Sequence, residues 1–303
     1  MINRYTHGSV TWIDVINPSN DTIRELMEEC SIPPEFTTDL TSMTPRTETH
    51  AKKNVLKITL DYPIVKRTDI DHAHEIKIIA TKYHLITIRF EDMEAMHHFG
   101  KNFEVMCHSV AKHQAITTDF LFFALLTHLY ESLDHKLDYL ENQLSDTEKA
   151  IFNNQEREMV FAISTLSRRL IDFRQVMGAH EWALEDLAEG AHIAFNKNYA
   201  EQVDTITNRY NHIRRRQRAL LATAESLRDT NVALVTTTQN DVMKMFTILA
   251  FITFPLTLFT SMFGMNTIST PLVGNPGDFW IILGIMIIVS VSFFAYFKYR
   301  KWF

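Results

Sequence analysis

The stretch Phe246–Asn266, FTILAFITFPLTLFTSMFGMN, decides the architecture of this 303-residue chain. No Asp, Glu, Lys or Arg occurs between Met245 and Gly277. At about 1.5 Å per residue, the apolar part of this stretch is long enough for a helix to cross the roughly 30 Å hydrocarbon layer of a bilayer. It therefore predicts a transmembrane helix.

A second apolar run, Phe279–Phe297, follows after a short connection rich in turn residues, namely Pro271, Gly274, Pro276 and Gly277. Such residues are typical of a tight reversal of the chain. The two runs therefore predict a hairpin of two membrane spans at the C-terminal end.

Positive charge lies at both outer ends of this hairpin. Lys244 precedes the first span, while Lys298, Arg300 and Lys301 follow the second. The connection carries only Asp278 as a charge. Because Lys and Arg concentrate on the cytoplasmic side of membrane proteins, we expect both termini in the cytoplasm and the connection outside.

The first span ends in Gly264-Met265-Asn266, with Pro255 nine residues before the glycine. This ending resembles the CorA family of divalent-cation channels, whose mark is Gly-Met-Asn at the outer end of the penultimate span. Three further segments are similar to the family pattern: NDVMK at Asn240–Lys244, FPLT at Phe254–Thr257 and the basic tail at Tyr296–Trp302. By this resemblance, Gly264, Met265 and Asn266 form a selectivity filter.

The resemblance implies a channel or transporter that moves divalent cations into the cytoplasm down their electrochemical gradient. Mg²⁺ is the expected ion, with Co²⁺ as a second one, and intracellular Mg²⁺ is the expected regulator. The family also implies a homo-oligomer, a pentamer, in the inner (plasma) membrane. Beyond Mg²⁺ as substrate and regulator, no cofactor is expected. A ring of Asn266 amides would offer oxygen acceptors to the hydration shell of Mg²⁺, an ion that sheds water reluctantly.

A set of residues recurring every three or four positions predicts one pore-lining helix face. These residues are Asn240, Met243, Phe246, Ala250, Phe254, Thr257 and Ser261. Four of them, Asn240, Met243, Phe246 and Phe254, match pore-facing positions of the family. Rings at Phe246 and Phe254 would form an apolar constriction that gates by excluding water. Packing of these two rings against lipid or another helix remains open.

The predicted fold class is α+β, with an α/β cytosolic domain at 1–113, a helical stalk at 114–244 and the membrane hairpin with its basic tail at 245–303. Apolar or alternating runs predict strands at Val10–Val15, Val55–Leu60, Glu75–Thr81 and Leu85–Ile88, the last two as a hairpin. Asn17-Pro18-Ser19 predicts a turn and the start of a short helix that covers Thr22–Cys30.

Three heptad-like seams predict long helices that pack on one another, the first two antiparallel around a turn at Phe152–Gln155. The first contains Phe123, Leu126, Tyr130, Leu133, Leu137, Leu140 and Leu144; the second Met159, Ile163, Leu166, Leu170, Phe173, Met177, Leu184 and Leu187; the third Ile206, Tyr210, Ile213, Leu220, Ala224, Leu227 and Leu234.

The third seam runs into the first span without a Gly or Pro between Gly190 and Pro255. One helix of about 85 Å, from Ile206 to Phe263, is therefore expected to link cytosol and membrane. Gln217 and Asn231 occupy seam positions, where a polar residue either sets the register or is partly exposed.

Several function classes are disfavoured by the sequence. The net charge of -6 argues against a nucleic-acid partner. The isolated Cys30 and Cys107 indicate ordinary reduced thiols. There is no Walker-type glycine loop and no nucleophile-base arrangement, so the chain is not expected to be an enzyme.

Other metal and charge features leave alternatives open. The acidic residues on the first long helix, Glu131, Asp134, Asp138, Glu141 and Glu148, indicate a solvated face, or else a region that concentrates cations or senses Mg²⁺. Arg214, Arg215, Arg216 and Arg218 indicate a solvated or ion-paired face. Thr205 stands where the family would place a sensing Asp, with Asp204 beside it, so the regulatory site is unknown.

Two rival functions remain at this stage. Among the fourteen histidines, the pairs His72 and His74 or His97 and His98 are the nearest to a zinc site, but neither has convincing ligand company. The ZntB branch of the same superfamily carries Zn²⁺, so a ZntB-like zinc transporter is one alternative. A non-conducting, membrane-tethered coiled-coil scaffold or sensor is the other.

Overall fold

The computed structural model describes residues 1–37, 39–44, 47–64, 73–110, 116–265, 274, 276–300 and 302, with the side chains at 104, 106–110 and 154 outside this description. The chain divides into two compact units, an N-terminal unit of Met1–Arg228 and a C-terminal unit of Asp229–Phe303. Both units are α-helical in large part, and the N-terminal unit also contains a β-sheet. The α+β fold class predicted from the sequence is thereby confirmed.

The N-terminal unit is built on a six-stranded sheet of order β1-β2-β6-β5-β4-β3. The strands are β1 Ile2–His7, β2 Val10–Ile16, β3 Glu48–Lys52, β4 Val55–Tyr62, β5 His74–Ala80 and β6 His84–Arg89. Only β2 and β6 pair in parallel, and the remaining neighbours are antiparallel. The predicted strands and the β5–β6 hairpin are confirmed.

The two strands that were not predicted, β1 and β3, form the outer edges of this sheet. Their sequences, INRYTH and ETHAK, are largely polar, and their residues are only partly buried or exposed. An edge strand pairs with a neighbouring strand along one edge only and commonly carries charged residues. It therefore lacks the apolar run that marks a central strand.

One face of the sheet packs against the helix α1, Asn20–Cys30. The core on this face includes Ile13, Val15, Ile23, Leu26, Cys30, Ile79, Ile86 and Ile88. Ser19 caps α1 by accepting a hydrogen bond from the Thr22 amide at 3.2 Å, as the predicted helix start requires. Burial raises the pKa of the Cys30 thiol to about 11, which makes it a poorly reactive, structural cysteine.

The helices that follow the sheet are long. They are α2 Glu94–Val110, α3 Thr118–Ala150, α4 Glu156–Glu185, α5 Leu187–Phe195, α6 Ala200–Phe263 and α7 Asp278–Tyr299. A π-helical turn at Ile151–Gln155 joins α3 to α4, where a turn was predicted. The single uninterrupted α6 confirms the prediction of one helix from the third seam to the end of the first span.

The predicted seams form the buried faces of these helices, with two corrections. Met159 and Leu234 are only partly buried. The second seam does not continue as one helix, because α4 ends at Glu185 and Leu187 begins α5. The antiparallel pairing of α3 and α4 is confirmed by two contacts: Arg169 donates to Gln143 at 3.2 Å, and Tyr130 bonds to His180 at 2.9 Å.

Both polar seam positions of α6 are buried, at 2% exposure each, so the alternative of partial exposure is wrong. The Gln217 side-chain amide donates to the Leu170 carbonyl at 2.8 Å, which ties α6 to α4 in one register. The Oδ1 atom of Asn231 has no hydrogen-bond partner, although it is buried. The amide of Gln217 thus fixes the register of α6 against α4.

A buried histidine joins the three helices to the sheet. His180, 1% exposed, lies between Tyr130 of α3 and the Asp61 carbonyl of β4, at 2.9 and 2.6 Å. Because a carbonyl can only accept, Nε2 carries the proton and Nδ1 accepts from the Tyr130 hydroxyl. The ring of Tyr210 from α6 stacks on the imidazole at 6.4 Å. Burial lowers the pKa of His180 to about 4, so this junction holds a neutral imidazole.

We expect this histidine to make the fold sensitive to acid. In the unfolded chain His180 takes up a proton below about pH 6.5, whereas in the folded chain it does so only near pH 4. As the pH is lowered from about 6.5 to about 4, the free energy of unfolding should therefore decrease, by up to about 1.4 kcal/mol per pH unit. His180→Gln should weaken this pH dependence, measured by urea unfolding of the full chain from pH 7.5 to 4.5. His97→Gln, at an exposed site, is the control and should retain the wild-type slope.

Candidate functional site

The C-terminal unit places the end of α6 against α7. Ile248 of α6 and Phe297 of α7 are buried, at 4% and 6% exposure, and the ring of Phe251 lies 6.1 Å from that of Phe297. The apolar part of α6 and the whole of α7 are long and apolar enough to cross a membrane. The contact between them supports the predicted hairpin of two spans.

The predicted pore-lining residues lie on the opposite side of α6. At 100° per residue, Phe246 is rotated by about 160° from Ile248, the residue buried against α7. Phe246 and Phe254 are 63% and 72% exposed, and Asn240, Met243, Thr257 and Ser261 are exposed as well. Only Ala250 is partly covered. Packing against α7 therefore does not explain the two phenylalanines, and this face is free for a partner outside the chain.

Hydroxyl groups within the span are satisfied by the helix itself. Thr257 donates to the Thr253 carbonyl at 2.9 Å, and Thr253 donates to the Leu249 carbonyl at 2.8 Å. This back-bonding removes the cost of an unpaired hydroxyl proton in an apolar setting. The oxygen lone pairs of Thr257 stay available on the exposed face, where they can accept hydrogen bonds from water.

The span ends at Phe263, and Gly264 forms the turn that follows. Its amide donates to the Thr260 carbonyl at 2.9 Å. A Cβ on Gly264 would lie 3.0 Å from the same carbonyl oxygen, so a glycine permits this tight ending without displacing the backbone. Met265 is exposed, whereas Asn266 lies outside the described residues. Of the three predicted filter residues, the structure thus describes Gly264 and Met265.

Gly277 immediately precedes the second span and has φ 108°, a left-handed conformation that favours glycine. The carboxylate of Asp278 accepts from the Gly274 and Phe279 amides at 3.1 and 2.7 Å. The single charge of the connection thus stabilises the N-terminus of α7, where the helix dipole favours an anion. Exposed aromatic residues at both ends of α7, including Trp280 and Tyr299, are typical of membrane interfaces.

The acidic face of α3 is ion-paired with α6 rather than simply solvated. Arg216 contacts Asp134 at 2.8 Å, Asp138 at 2.5 Å and also Glu141. Two helical turns earlier in α6, Arg209 pairs with Glu131 at 2.7 Å. The hydrogen bond from Arg216 lowers the pKa of Asp138. The acidic residues therefore brace α3 against α6, which the sequence could not show because 78 residues separate Asp138 from Arg216.

The arginine run divides between two neighbours. While Arg216 faces α3, Arg214 pairs with Glu181 of α4 at 2.8 Å. The ion-paired alternative for this run is thus confirmed for Arg214 and Arg216. Thr205, at the position of an expected sensing Asp, donates its hydroxyl to the Glu201 carbonyl of its own helix at 2.8 Å.

No group of three or more His, Cys, Asp or Glu side chains that could hold a metal ion occurs in the described part of the chain. Of the two histidine pairs considered from the sequence, His97 and His98 are not brought together as zinc ligands. His97 and His98 face different carboxylates, Asp92 and Glu94, each at 3.5 Å, and His72 lies outside the described residues.

Comparison with known proteins extends over nearly the whole chain. A family model described as CorA-like Mg2+ transporter protein matches residues 7–300. The cobalt/magnesium transport protein CorA of Thermotoga maritima is 23% identical over 305 residues, which covers 96% of this chain and 83% of that protein.

Solved structures show the same fold. The CorA magnesium transporter of Methanocaldococcus jannaschii superimposes with a TM-score of 0.78 at 19% identity, covering 99% of this chain and 93% of that one. The cytoplasmic domain of ZntB from Vibrio parahaemolyticus reaches a TM-score of 0.55 at 16% identity, covering 76% and 90%. The first match includes both units of the present chain.

The brace between α3 and α6 can be tested by replacing its arginine. Arg216→Gln should lower the free energy of unfolding at pH 7 by about 1 kcal/mol, a modest effect because water screens these groups. The loss arises because three carboxylates then repel one another. It should shrink as the pH falls through the lowered pKa of Asp138, where the wild type also loses the pair. Urea unfolding of the wild type and of Arg216→Gln, at pH 7 and at a pH low enough to protonate Asp138, measures this difference in stability.

Arg215→Gln is the matched control. It makes the same charge change one residue away, on an exposed side chain for which the described residues show no carboxylate partner. An equal loss of stability in both variants would contradict a specific role for Arg216.

Proposed function

Because the chain belongs to the family of CorA-like Mg2+ transporter proteins, we propose that it moves divalent cations across a membrane, with Mg²⁺ as the main substrate and Co²⁺ as a second one. The curated relative from Thermotoga maritima carries the name of a cobalt/magnesium transport protein. Transport of ions, rather than enzymatic chemistry, is the activity that these relatives support.

The observation that carries the proposal is the uncovered face of α6. Seven predicted pore residues lie along the side of the helix that α7 does not cover, and this face contains hydroxyl and amide groups as well as large apolar rings. One helix cannot enclose a path for ions, so several copies must bring this face together. Family resemblance suggests five copies, arranged with the exposed face of each α6 toward a common axis.

The pore we propose selects without fixed charge. Asn266 would form the outer ring, where amide oxygens accept hydrogen bonds from the hydration shell of Mg²⁺. Further in, Thr257 and Ser261 offer hydroxyl oxygens, and Phe254 and Phe246 form apolar rings. Movement into the cell needs no ATP, because 100 mV of membrane potential favours entry of a doubly charged ion by about 4.6 kcal/mol.

Intracellular Mg²⁺ is the proposed regulator, although no residue set is assigned to that role. A divalent ion held between copies would favour the closed arrangement by binding it more tightly than the open one. We further propose that the chain lies in the inner (plasma) membrane with both termini in the cytoplasm, a proposal that the positive charge at both outer ends of the hairpin supports.

A zinc transporter like ZntB is the second candidate, supported by the fold of the ZntB cytoplasmic domain. Flux into proteoliposomes at a fixed potential distinguishes the two. Under the proposal Mg²⁺ and Co²⁺ enter readily, whereas Zn²⁺-selective or proton-coupled flux would favour the alternative. Absence of any flux would favour a non-conducting scaffold or sensor.

The filter is tested by Asn266→Ala, which should abolish or strongly reduce Mg²⁺ flux while the oligomer still assembles. The substitution removes the amide oxygens of the outer ring and leaves the helical seams intact. Asn275→Ala is the control, because it removes an amide from the same connection outside the Gly-Met-Asn motif and should retain flux. Wild-type flux through an assembled Asn266→Ala protein would contradict a filter role for Asn266.

The orientation is tested by labelling. In a chain freed of its two natural cysteines, Asn275→Cys should react with an impermeant thiol reagent applied from outside the cell. The charge asymmetry around the hairpin motivates this expectation. Labelling that occurs only after the membrane has been opened would reverse the orientation.

The apolar gate is tested by Phe246→Ser, which should keep conducting at internal Mg²⁺ concentrations that silence the wild type. A polar side chain makes the constriction easier to hydrate, so the closed pore leaks. Phe251→Ser is the matched control, since Phe251 lies on the α7 side of the same helix. Flux is recorded against internal Mg²⁺ for all three proteins. If Phe246→Ser and the wild type give overlapping inhibition curves at equal assembly, the gate lies elsewhere.

A further inference from the structure

We propose that the C-terminal end of α7 binds the headgroup of an anionic phospholipid. Arg300 is the cationic group of this site, and Tyr296 and Trp302 are the aromatic donors beside it. All three belong to the C-terminal unit, at the end of a helix that is long and apolar enough to cross a membrane. None of them belongs to the candidate pore face, so the site does not depend on which ion the protein transports.

The helix α7 ends in a defined turn. Its last helical residue is Tyr299, and beyond it the Trp302 amide donates to the Phe297 carbonyl at 3.1 Å. A bond to the carbonyl five positions earlier is typical of the Schellman motif, in which an apolar contact often joins the same two residues. The rings of Trp302 and Phe297 lie 5.6 Å apart, so this contact is present as well. Trp302 is therefore folded back onto the helix.

Phe297, on which Trp302 packs, is itself fixed against the first span. It is 6% exposed, and the Phe251 ring of α6 lies 6.1 Å from its ring. Trp302 nevertheless remains 44% exposed. Tryptophan is enriched at the headgroup level of bilayers because it joins an apolar ring system to an N–H donor. Packing within the C-terminal unit thus holds such a donor in place at the end of the span.

Tyr296 and Arg300 lie one turn apart on the same side of α7. The Arg300 amide donates to the Tyr296 carbonyl at 3.0 Å, so the helical rotation continues as far as the arginine. Both side chains are exposed. Since Trp302 packs on Phe297, the residue next to Tyr296, three side-chain donors gather at this end of the helix. A phosphate accepts hydrogen bonds from donors of this kind, and the bond from a guanidinium is strengthened by its charge.

The charge at this end of the helix is not compensated. Neither Arg300 nor Lys298 has a carboxylate partner in the part of the chain that the structure describes. By contrast Lys244, the cation that precedes the first span, contacts Asp241 at 2.8 Å. The dipole of α7 places roughly half a negative charge at its C-terminus, which offsets only part of the two positive charges. The complementary ligand is therefore an anion.

The surface that leads to the site favours a lipid over a dissolved anion. An apolar stripe with spacings of three and four runs along α7 and ends at Tyr296 and Arg300. It consists of the partly exposed residues Ile282, Met286, Val289 and Phe293. An acyl chain can lie along this stripe while the phosphate meets Arg300, whose apolar stem follows the same surface.

The test measures the lipid next to Trp302 in vesicles that contain the full chain. In a Trp280→Phe background, the signal of Trp302 is the difference in fluorescence between the proteins without and with Trp302→Phe. At equal mole fraction in phosphatidylcholine vesicles, brominated phosphatidylglycerol should quench this signal about five-fold more effectively than brominated phosphatidylcholine. That factor corresponds to the roughly 1 kcal/mol that one cationic side chain gains near an anionic membrane surface.

Arg300→Gln should remove this preference for the anionic lipid, whereas Arg300→Lys, which keeps the charge, should retain most of it. Lys298→Gln is the matched control, because it removes the same charge about 200° around the helix from Arg300 and should retain the preference. A second readout is the phosphatidylglycerol that the purified protein retains in detergent, measured by native mass spectrometry. It should fall in Arg300→Gln and not in Lys298→Gln.

Equal quenching of the Trp302 signal by the two lipids would overturn the site. An equal loss of preference in Arg300→Gln and Lys298→Gln would also overturn it, because only the total charge would then matter. Displacement of the brominated lipid by excess inorganic phosphate would assign the site to a dissolved anion instead. The vesicles hold no ion gradient and have the same lipids in both leaflets, so each outcome is independent of the proposed transport and orientation.

Discussion

The structure depends first on the absence of water from the hydrocarbon layer, which forces every backbone amide and carbonyl of a span to find a partner within the protein. In α6 and α7 the helices themselves supply these partners, and the span hydroxyls of Thr253 and Thr257 donate to carbonyls of their own helix. Pro255 is the one residue inside α6 that cannot donate, yet the helix continues to Phe263. Since the backbone is satisfied locally, the side chains on the uncovered face are free to meet neighbours, water or ions.

In the N-terminal unit, by contrast, the register of the helices and strands is set by polar contacts between residues that are far apart in the sequence. His180 connects α4, α3 and β4 through two hydrogen bonds, and Gln217 connects α6 to α4 through another. Apolar seams with a spacing of three and four can slide by a turn with little loss of burial, whereas a buried imidazole or amide loses its partner when they slide. Arg216 with its three carboxylates adds a further constraint at the surface.

The sequence was most informative where a single pattern sufficed. The spans, the three seams and the central strands each have a local apolar signature, and Ser19 with α1 has a local capping signal. The polar edge strands β1 and β3 have none, and the break at Asp186 lies inside a seam that continues on both sides of it. The partners of Arg216 and His180 depend on how distant segments meet, which no spacing in the chain encodes. The spacing of the candidate pore residues was enough to predict that they share one face of α6. It could not predict that α7 leaves this face uncovered, because the side of α6 that contacts α7 depends on how the two helices pack.

The two units use their polar groups in different ways. The acidic groups of α3 that are nearest to α6 are engaged with arginines, and the candidate pore face carries no ionisable side chain at all. A hydrated cation on that face would meet only amide, hydroxyl and apolar groups, so nothing there would bind it so tightly that it could not leave. The driving force for entry can then come from the membrane potential, which acts on each charge of the ion. At 100 mV a divalent ion gains about 2.3 kcal/mol more than a monovalent one, which is roughly a fifty-fold difference in equilibrium accumulation. A neutral pore lets that difference act without trapping the ion.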